Sequence, residues 1–480
     1  MPTTEKTHPA LYIPEILLEI FTVLSTTDLV RAAQTCKTWA EPALDTKWRT
    51  RMIKFSYLLS TLAPLVNVDG DLTAITLQYE ELNIALDVES LTLVKQLLAR
   101  FAGPLCKNLS RIEAEPYPSS SFNDHCTSIL ELLLSSNLRE VKLPSGAAQD
   151  TTRANLSLLE RQTPGILGLT VTSDETFNYA IFTNLRFLSH HEYLSFADHA
   201  MLASLPNLRI LHLSHSMTSN AYHNDGSIIT FPGLHEFLLS DISGELEEAV
   251  EQSVMPALRT LHVTMTRYKP LTLLNHTLQT SPLLEDFFLE VNTSERELRL
   301  RHDQIRKFVF INGSYGGGGC DWKDDDLDWI GSSFPGLQDL TAYGGSFFKH
   351  RTTWRTLPSL AAQFSENLRR LEITLYVGSF NLSDVVPWDI TLSSLRTLTF
   401  SQLKIKEADL DLFSKYLAAL FPNVETLEIN DFHETSVKRP KRQPGTRLFS
   451  EVEKGLFIGK FFEYKAGRHT MKEMIGGGVM

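Results

Sequence analysis

The stretch YGGGGCDWKDDDLDW, residues 315–329, contains residue types that often bind phosphate or metal ions. Its glycine run lacks the Lys-Ser/Thr ending of a phosphate loop, and its aspartates lack the spacing of a calcium loop. Acidic residues at the start of a helix interact favourably with the helix dipole. The segment therefore favours a solvated loop followed by a helix start, with an acidic docking site and a metal site as the open alternatives.

No other pattern indicates an enzyme active site. His190, His191 and His199 do not form an H-E-x-x-H motif, and no G-x-S-x-G sequence is present. The cysteines form neither a C-x-x-C pair nor a zinc spacing, which favours reduced, mostly buried thiols. These cysteines are Cys36, Cys106, Cys126 and Cys320. The sequence therefore predicts no enzyme, no catalytic residue, no metal site and no cofactor.

Composition limits the classes of partner. A formal charge of -12 over 480 residues argues against a general affinity for nucleic acid or anionic membrane lipid, since both require excess Lys and Arg. The first ten residues predict no secretory signal, and no apolar window approaches the roughly 18 residues of a spanning helix. We expect a cytoplasmic or nuclear protein. The basic segment 438–442, KRPKR, is similar to a nuclear import signal, although a basic loop would look the same.

One short pattern, apolar at its first, fourth and sixth positions, recurs along most of the chain. Its mean spacing is about 26 residues, within the range of leucine-rich repeats. The thirteen first positions are Leu109, Leu138, Ile166, Leu185, Leu208, Leu234, Leu258, Leu284, Ile305, Leu337, Leu368, Leu395 and Val424.

In an extended strand, the fourth and sixth positions of this pattern point to the same buried face. Turns such as LPN (205–207) and FPG (231–233) precede the strands, with proline ending the previous helix and Gly or Asn taking a tight conformation. Residues 105–432 thus resemble the leucine-rich repeat family, which implies an α/β solenoid with a parallel sheet on its concave face. Uneven spacing predicts an irregular solenoid. The buried Asn/Cys ladder of that family is mostly missing here: the sampled positions are Gly146, Thr266, Asn292, Tyr376 and Phe432.

The N-terminal segment 13–44, IPEILLEIFTVLSTTDLVRAAQTCKTWAEPAL, predicts three helices. Helical spacing puts most apolar residues of the first helix on one stripe, with Leu18 and Val23 off it. A helix that is apolar on more than one side contacts its own domain and something else. STTD, residues 25–28, has the spacing of a capping box and predicts the start of the second helix.

These residues resemble an F-box, with Thr35 and Ile13 as mild departures, and the continuation LDTKWRTRMIKFSYLLSTL, residues 44–62, resembles the one common among fungal members. The resemblance implies docking onto the Skp adaptor, and through it onto the cullin and RING subunits of a ubiquitin ligase. The adaptor-binding residues that it implies are Ile13, Pro14, Ile16, Leu17, Ile20, Phe21, Leu24, Leu29 and Trp39. A helical cap that closes the solenoid and binds nothing is the alternative.

The predicted domains follow from these patterns. They are a disordered N-terminus (1–10), the F-box (11–49), a helical connector (50–104), the solenoid (105–432) and a C-terminal tail (433–480). The predicted function is substrate recognition for a Skp-cullin-F-box ubiquitin ligase, with an unknown protein as substrate. A non-degradative scaffold, or a repeat protein that regulates an enzyme without any ligase, is the alternative.

The outward strand positions predict where a target binds. Terminal repeats offer polar residues there, such as Glu113, Lys142, Glu372 and Glu428, whereas the middle repeats offer apolar and imidazole side chains. The predicted substrate-binding residues are Phe187, Ile210, His212, Leu238, His262, Phe288, Val309 and Ile311. Large apolar patches usually mark partner sites, and without basic excess on these strands we expect an apolar or neutral target. Coverage of the patch by the tail or by long loops is the alternative.

Overall fold

The structure is a computed structural model that falls into two compact units, Met1–His223 and Asn224–Met480. It describes residues 14–35, 39, 42–43, 46, 53–54, 81–84, 109–114, 127, 129–131, 133–143, 149–172, 177–191, 194, 196–214, 228–240, 250–265, 271–291, 301–312, 324–344, 353–364, 366–377, 380, 390–405, 409–430 and 451–466. All four cysteines, Ile13 and the segments 315–323 and 438–442 lie outside the described residues.

The first unit begins with helices α1 (Pro14–Thr22) and α2 (Thr26–Thr35), and residues 39, 42–43 and 46 are also helical. Pro14 occupies the first helical position, where the missing N–H costs no hydrogen bond. Ser25 Oγ accepts a hydrogen bond from Asp28 N at 3.3 Å and donates one to Asp28 Oδ2 at 2.6 Å, so Ser25 caps the start of the second helix as predicted. The helices share a core of Leu17, Phe21, Leu29, Ala32 and Ala43.

Seven described strands follow in the first unit, each parallel to the next in chain order. They are β1 (Ile53–Lys54), β2 (Glu81–Ile84), β3 (Arg111–Ala114), β4 (Glu140–Lys142), β5 (Gly168–Val171), β6 (Phe187–His191) and β7 (Ile210–Ser214). Helix α3 (Gln149–Gln162) lies between β4 and β5 in the chain, and α4 (Phe196–Ala203) lies between β6 and β7. A 3-10 turn, Tyr179–Ile181, precedes β6.

The second unit repeats this arrangement. Its main parallel sheet contains β9 (Glu236–Ser240), β11 (Thr260–Met265), β12 (Asp286–Val291), β13 (Lys307–Asn312), β14 (Asp339–Gly344), β15 (Arg370–Val377), β16 (Thr397–Ile405) and β17 (Thr426–Ile429). Strands β8 (Ile229–Thr230) and β10 (Ser253–Val254) form a separate parallel pair. The described helices are α5 (Leu271–Thr280), α6 (Asp324–Ser333), α7 (Thr356–Gln363), α8 (Leu410–Leu420) and α9 (Glu451–Ala466).

All thirteen predicted strands are present, and their register aligns the fourth position of every repeat. In the second unit this row contains Phe237, Leu261, Phe287, Phe308, Leu340, Leu371, Leu398 and Leu427, all of them buried. Aromatic rings reinforce its centre, since the ring centroids of Phe287 and Phe308 are 5.2 Å apart. Parallel strands buried in this way form the continuous core that a single repeat cannot build.

The prediction of a helical connector at residues 50–104 is corrected where β1 and β2 occur, because these two strands join the parallel sheet beside β3. Ile53 pairs with Leu82, and Leu82 pairs with Ile112, so both strands keep the register of the repeats. The repeat pattern did not predict β1 and β2, because Thr50 and Tyr79 occupy its first position, where Leu or Ile was expected. The helical segment predicted at 89–105 lies outside the described residues.

The predicted C-terminal tail contains helix α9, which packs against α8 and β17. Phe457 and Phe461 are buried at this contact, and the Phe413 and Phe457 rings stack with centroids 6.3 Å apart. Asp411 of α8 accepts hydrogen bonds from Lys460 Nζ at 2.9 Å and from Tyr464 OH at 2.6 Å. A terminal repeat exposes an apolar end, and α9 covers it here.

The turns before the strands carry hydrogen bonds from one repeat to the one before it. Asn207 Nδ2 donates to Thr183 O at 2.9 Å, Asn367 Nδ2 to Pro335 O at 3.0 Å, and Asn423 Nδ2 to Ser393 O at 2.7 Å. At Gly336 an added Cβ would lie 2.6 Å from the carbonyl oxygen of Asp303. The asparagines therefore connect neighbouring turns by hydrogen bonds, and Gly336 allows two turns to approach closely.

Candidate functional sites: the outer face of α1 and the concave strand faces

Helix α1 presents apolar residues on two sides. Leu17 and Phe21 are 0% and 1% exposed in the core of the helical domain, whereas Ile16 and Ile20 are each 39% exposed and Val23 is 82% exposed. The sequence had placed Ile16, Leu17, Ile20 and Phe21 on a single stripe, and that interpretation is wrong. In the pairs Ile16–Leu17 and Ile20–Phe21, the first residue is exposed and the second is buried, because adjacent residues on a helix point about 100° apart.

The predicted adaptor-binding residues therefore fall into core residues and exposed residues. Leu17, Phe21 and Leu29 are core residues, and Leu24 and Trp39 pack against that core, with the Phe21 and Trp39 rings 5.8 Å apart. These five residues hold the helices together and offer little surface. Ile16 and Ile20 remain contact candidates, and Val23, which the sequence interpretation had set apart, joins them.

An exposed apolar face of this kind has a thermodynamic consequence. Full burial of a Val or Ile side chain stabilises a complex by about 1.5–3 kcal/mol relative to leaving it in water. Three such side chains on neighbouring helical turns therefore favour a partner that covers them.

The outward strand face of the first unit begins with a closed cluster of charges. Lys142 Nζ lies 2.6 Å from Glu113 Oε1, and Arg111 lies 3.8 Å from Glu113 and 3.6 Å from Glu140. Two cations and two anions thus neutralise one another across β3 and β4. A charged partner gains little from such a surface, because it must compete with ion pairs that already exist.

Phe187, Ile210 and His212 come together on β6 and β7, as predicted from strand alternation. Phe187 pairs in register with Ile210, and the Phe187 and His212 rings meet edge to face at 5.0 Å. All three side chains are half-buried. They form a small apolar and imidazole surface within the first unit.

A serine and a histidine adjoin this surface. Ser189 Oγ and His191 Nε2 are 3.0 Å apart, which is the spacing of a nucleophile and its base. Ser189 is only 5% exposed, however, so a substrate has little access to its hydroxyl. Partial burial lowers the pKa of His191, and His212 and Lys142 lower it further, which favours the neutral imidazole.

In the second unit, Leu238, His262, Phe288 and Val309 form one row across four consecutive strands. His262 pairs in register with both Leu238 and Phe288, and Phe288 pairs with Val309. The four side chains are half-buried, and the His262 and Phe288 rings are 5.1 Å apart. Ile311 lies two residues further along β13. We call the first four residues the apolar row.

The row ends at β14, where Thr341 follows Val309 in register, and Glu372 follows on β15. The sequence predicts that this row continues into the surface of Phe187, Ile210 and His212 in the other unit. That continuity stays a prediction. The described helix of the tail, α9, packs on α8 and β17 at the end of the sheet away from Leu238. The loops that follow β9, β11, β12 and β13 lie outside the described residues.

The N-terminal helices are similar to a known family. Residues 14–54 match the F-box-like family. No curated protein matches the chain. Among solved structures, the LRR ectodomain of the plant membrane receptor kinase GASSHO1/SCHENGEN3 from Arabidopsis thaliana, in complex with CASPARIAN STRIP INTEGRITY FACTOR 2, is 11% identical, with a TM-score of 0.21. The alignment covers 74% of this chain and 50% of that one, so this chain spans about half the length of the ectodomain, and so low a score supports no functional comparison.

The described residues offer neither a membrane span nor a metal site. No helix in the described ranges is long and apolar enough to cross a membrane. Within the same ranges, no group of three or more His, Cys, Asp and Glu side chains is arranged to hold a metal ion.

Proposed function

We propose that this F-box protein with leucine-rich repeats is the substrate-recognition subunit of a Skp-cullin-F-box ubiquitin ligase. The observation that carries the proposal is the outer face of α1, where Ile16 and Ile20 are exposed on a helix that lies inside the F-box-like match, and Val23 is exposed directly after that helix. The Skp adaptor is the partner that would cover this face. Cullin and RING subunits would join through the adaptor.

The repeats would hold the target protein. The proposal assigns target binding to the concave strand faces, where the apolar row of the second unit combines half-buried apolar side chains with a regular strand register. Repeat proteins use such extended surfaces for binding, and an apolar patch of this extent on a parallel sheet favours a protein partner.

In this proposal the chain performs no covalent chemistry itself. It raises the effective concentration of target lysines near an activated ubiquitin that other subunits carry, and proximity supplies the rate increase. The limited access to Ser189 supports this division of labour, since the Ser189–His191 pair is the arrangement in the described residues that most resembles a nucleophile and its base.

The test is capture of the purified Skp adaptor by the full chain. The double variant Ile16→Asp, Ile20→Asp places two charges in the apolar interface, so we expect at least a hundredfold loss of adaptor affinity. The matched control is Ile228→Asp, because Ile228 is 71% exposed and lies in the second unit. The control should bind the adaptor as tightly as the wild type.

Undiminished adaptor capture by a folded double variant would refute the assignment of α1. Adaptor capture combined with a complete lack of ubiquitin transfer to any bound protein would instead favour the non-degradative scaffold. Transfer is measured by adding cullin, RING and ubiquitin-charged conjugating enzyme to the complex and following ubiquitin on co-purified proteins.

A further inference from the structure

The apolar row is one residue wide and runs across four strands. On each of these strands, the outward residues two positions before and two positions after the row are polar, with Ile311 as the exception. Those before the row are Glu236, Thr260, Asp286 and Lys307, and those after it are Ser240, Thr264, Glu290 and Ile311. The surface is therefore a narrow apolar stripe with a polar border on each side.

The spacing of this stripe matches an α-helix better than an extended chain. Neighbouring strands lie about 4.8 Å apart and one helical turn advances about 5.4 Å, so each turn of a helix that lies along the row meets one strand. An extended chain along the row repeats the side chains of one face about every 6.6 Å and loses step after about two strands. A chain that followed the strand direction would cross the row only once. Four strands correspond to roughly three helical turns, or about 11 residues.

Two carboxylates border the row at its centre. Asp286 and Glu290 lie two residues before and two residues after Phe288 on β12, so they stand on opposite sides of the row, each about 7 Å from Phe288 along the strand. Both side chains are half-buried, and neither lies at salt-bridge distance from a cation among the described residues. A partner that covers Phe288 therefore gains from cations on both of its sides.

The other charges near the row do not cancel these two carboxylates. Glu236 on β9 adds a third acid, and Lys307 on β13 is a cation at the far end of the border. One position before the strands, Arg259 and Glu285 offset each other in formal charge. The borders of the row are therefore acidic over β9, β11 and β12 and become mixed at β13.

We propose that the apolar row binds an amphipathic α-helix of the target protein, which carries Lys or Arg on both flanks above Asp286 and Glu290. Apolar burial holds the helix on the row, and the flanking charge pairs set its position along the row. The sequence predicted an apolar or neutral target, and the two carboxylates change that expectation to a basic one. This inference rests on the proposed role of the second unit in target binding.

The test measures retention of three synthetic peptide pools on the immobilised full chain in complex with its Skp adaptor. The first pool has apolar residues at positions i, i+4, i+7 and i+11, Lys on both flanks of that stripe and Ala elsewhere. The second pool replaces each Lys by Glu. The third pool keeps the composition of the first but places its apolar residues at alternate positions. We expect the first pool to be retained at least tenfold more than either of the others.

Variants of the two bordering carboxylates test the charge complementarity. Asp286→Asn, Glu290→Gln should retain the first and second pools to within threefold of each other. The matched control is Asp303→Asn, Glu366→Gln, which removes two exposed carboxylates of the second unit outside the borders of the row and should keep the wild-type preference. The reversal Asp286→Lys, Glu290→Lys should prefer the second pool to the first, a result that a misfolded variant cannot give.

Each other outcome overturns the inference. Preferential retention of the third pool would assign the row to an extended segment, and equal retention of the first two pools by the wild type would remove the carboxylates from recognition. A control variant that loses as much preference as the test variant would show attraction to the net charge of the chain. Retention of no pool also overturns it, and a doubled mass in light scattering would then assign the row to a second copy of this chain. Adaptor capture is scored in the same samples, so failure of the helix site is distinguishable from failure of the proposed function.

Discussion

The concave faces of the two units use the same repeat and treat charge in opposite ways. In the first unit, Arg111, Glu113, Glu140 and Lys142 neutralise one another across β3 and β4. In the second unit, Lys307, Asp339 and Arg370 alternate in register at the starts of β13, β14 and β15 without forming ion pairs at salt-bridge distance among the described residues, and the apolar row lies beside them. The fourth and sixth repeat positions are apolar in both units, with the buried His190 of the first unit as the exception. Folding therefore constrains the inward positions, while the outward positions are free to serve binding.

The largest expected effect is a difference in stability between variants of two neighbouring phenylalanines on β12. Phe287 faces inward and is 1% exposed, and Phe288 faces outward in the apolar row. Phe287→Ala leaves a cavity and should lower the free energy of unfolding by about 3–5 kcal/mol. Phe288→Ala, Leu238→Ser should cost far less stability and should abolish capture of the native target. Urea denaturation and target pull-down measure the two quantities.

Adaptor capture is the internal control for both variants, because α1 lies far from β12 in the chain. A drop of many degrees in melting temperature for Phe288→Ala, Leu238→Ser would show that these residues belong to the core. The division into an inward folding face and an outward binding face would then fail in the second unit.

The second effect should distinguish the units by their response to acid. His199 of α4 is 2% exposed, and burial lowers its pKa to about 4. The unfolded chain takes up this proton near the ordinary pKa of 6.5, whereas the folded chain resists it, so stability is full above 6.5 and is lost as pH falls towards 4. The loss reaches about 3 kcal/mol, and about 2 kcal/mol of it falls between pH 7 and 5.

The matched contrast is Asp411 in the second unit. Hydrogen bonds from Tyr464 and Lys460 hold the pKa of Asp411 well below its usual range, so its contribution disappears only as pH falls below the ordinary Asp value. From pH 7 to 5, the opening free energy obtained from hydrogen exchange, after correction for the intrinsic exchange rate, should therefore fall in peptides of the first unit, and His199→Leu should remove that fall. An unchanged pH response in His199→Leu would assign the acid sensitivity to another group.

Sequence reasoning recovered the repeats because burial imposes a strict pattern. Thirteen strands lie where the first, fourth and sixth positions predicted them, since burial of these positions favours apolar side chains; the buried His190 is the polar exception. The two missed strands, β1 and β2, begin their patterns with Thr50 and Tyr79, which a search for Leu or Ile cannot find. The repeat pattern did not predict helix α9, because the apolar residues of this helix cover the end of the sheet and do not follow the spacing of the repeats.

The candidate sites were predictable only in part. Strand alternation is strictly twofold, so it correctly placed Phe288 and Val309 on the outward face. Helical spacing is less decisive, and it put Ile16 and Leu17 together although one is exposed and the other buried. Asp286 and Glu290 were left out of the predicted site, because the sequence shows that both point outward but not that they border a row that crosses four strands in register.

A smaller effect should appear where α9 closes the second unit. Asp411→Asn removes the charge that attracts Lys460 and Lys415, while the amide oxygen still accepts from Tyr464. We expect the local stability of α9 to fall by about 1 kcal/mol, because these groups are partly exposed to water. Faster hydrogen exchange over residues 451–466, with unchanged exchange in β9 to β16, would show it. Asp303→Asn, which removes an isolated exposed ion pair with Arg301, is the control and should change neither region.

The smallest effect should come from opening the closed cluster of the first unit with Glu113→Gln. This change deprives Lys142 of its partner at 2.6 Å, while Arg111 keeps Glu140 at 3.6 Å. Exposed ion pairs contribute little, so stability should change by no more than about 0.5 kcal/mol. The released lysine belongs to the other unit, so the preference for the peptide pool with Lys flanks over the pool with Glu flanks should change less than twofold. If that preference instead fell by half or more, the net charge of the chain would account for binding, and the carboxylates beside the apolar row would lose their special role.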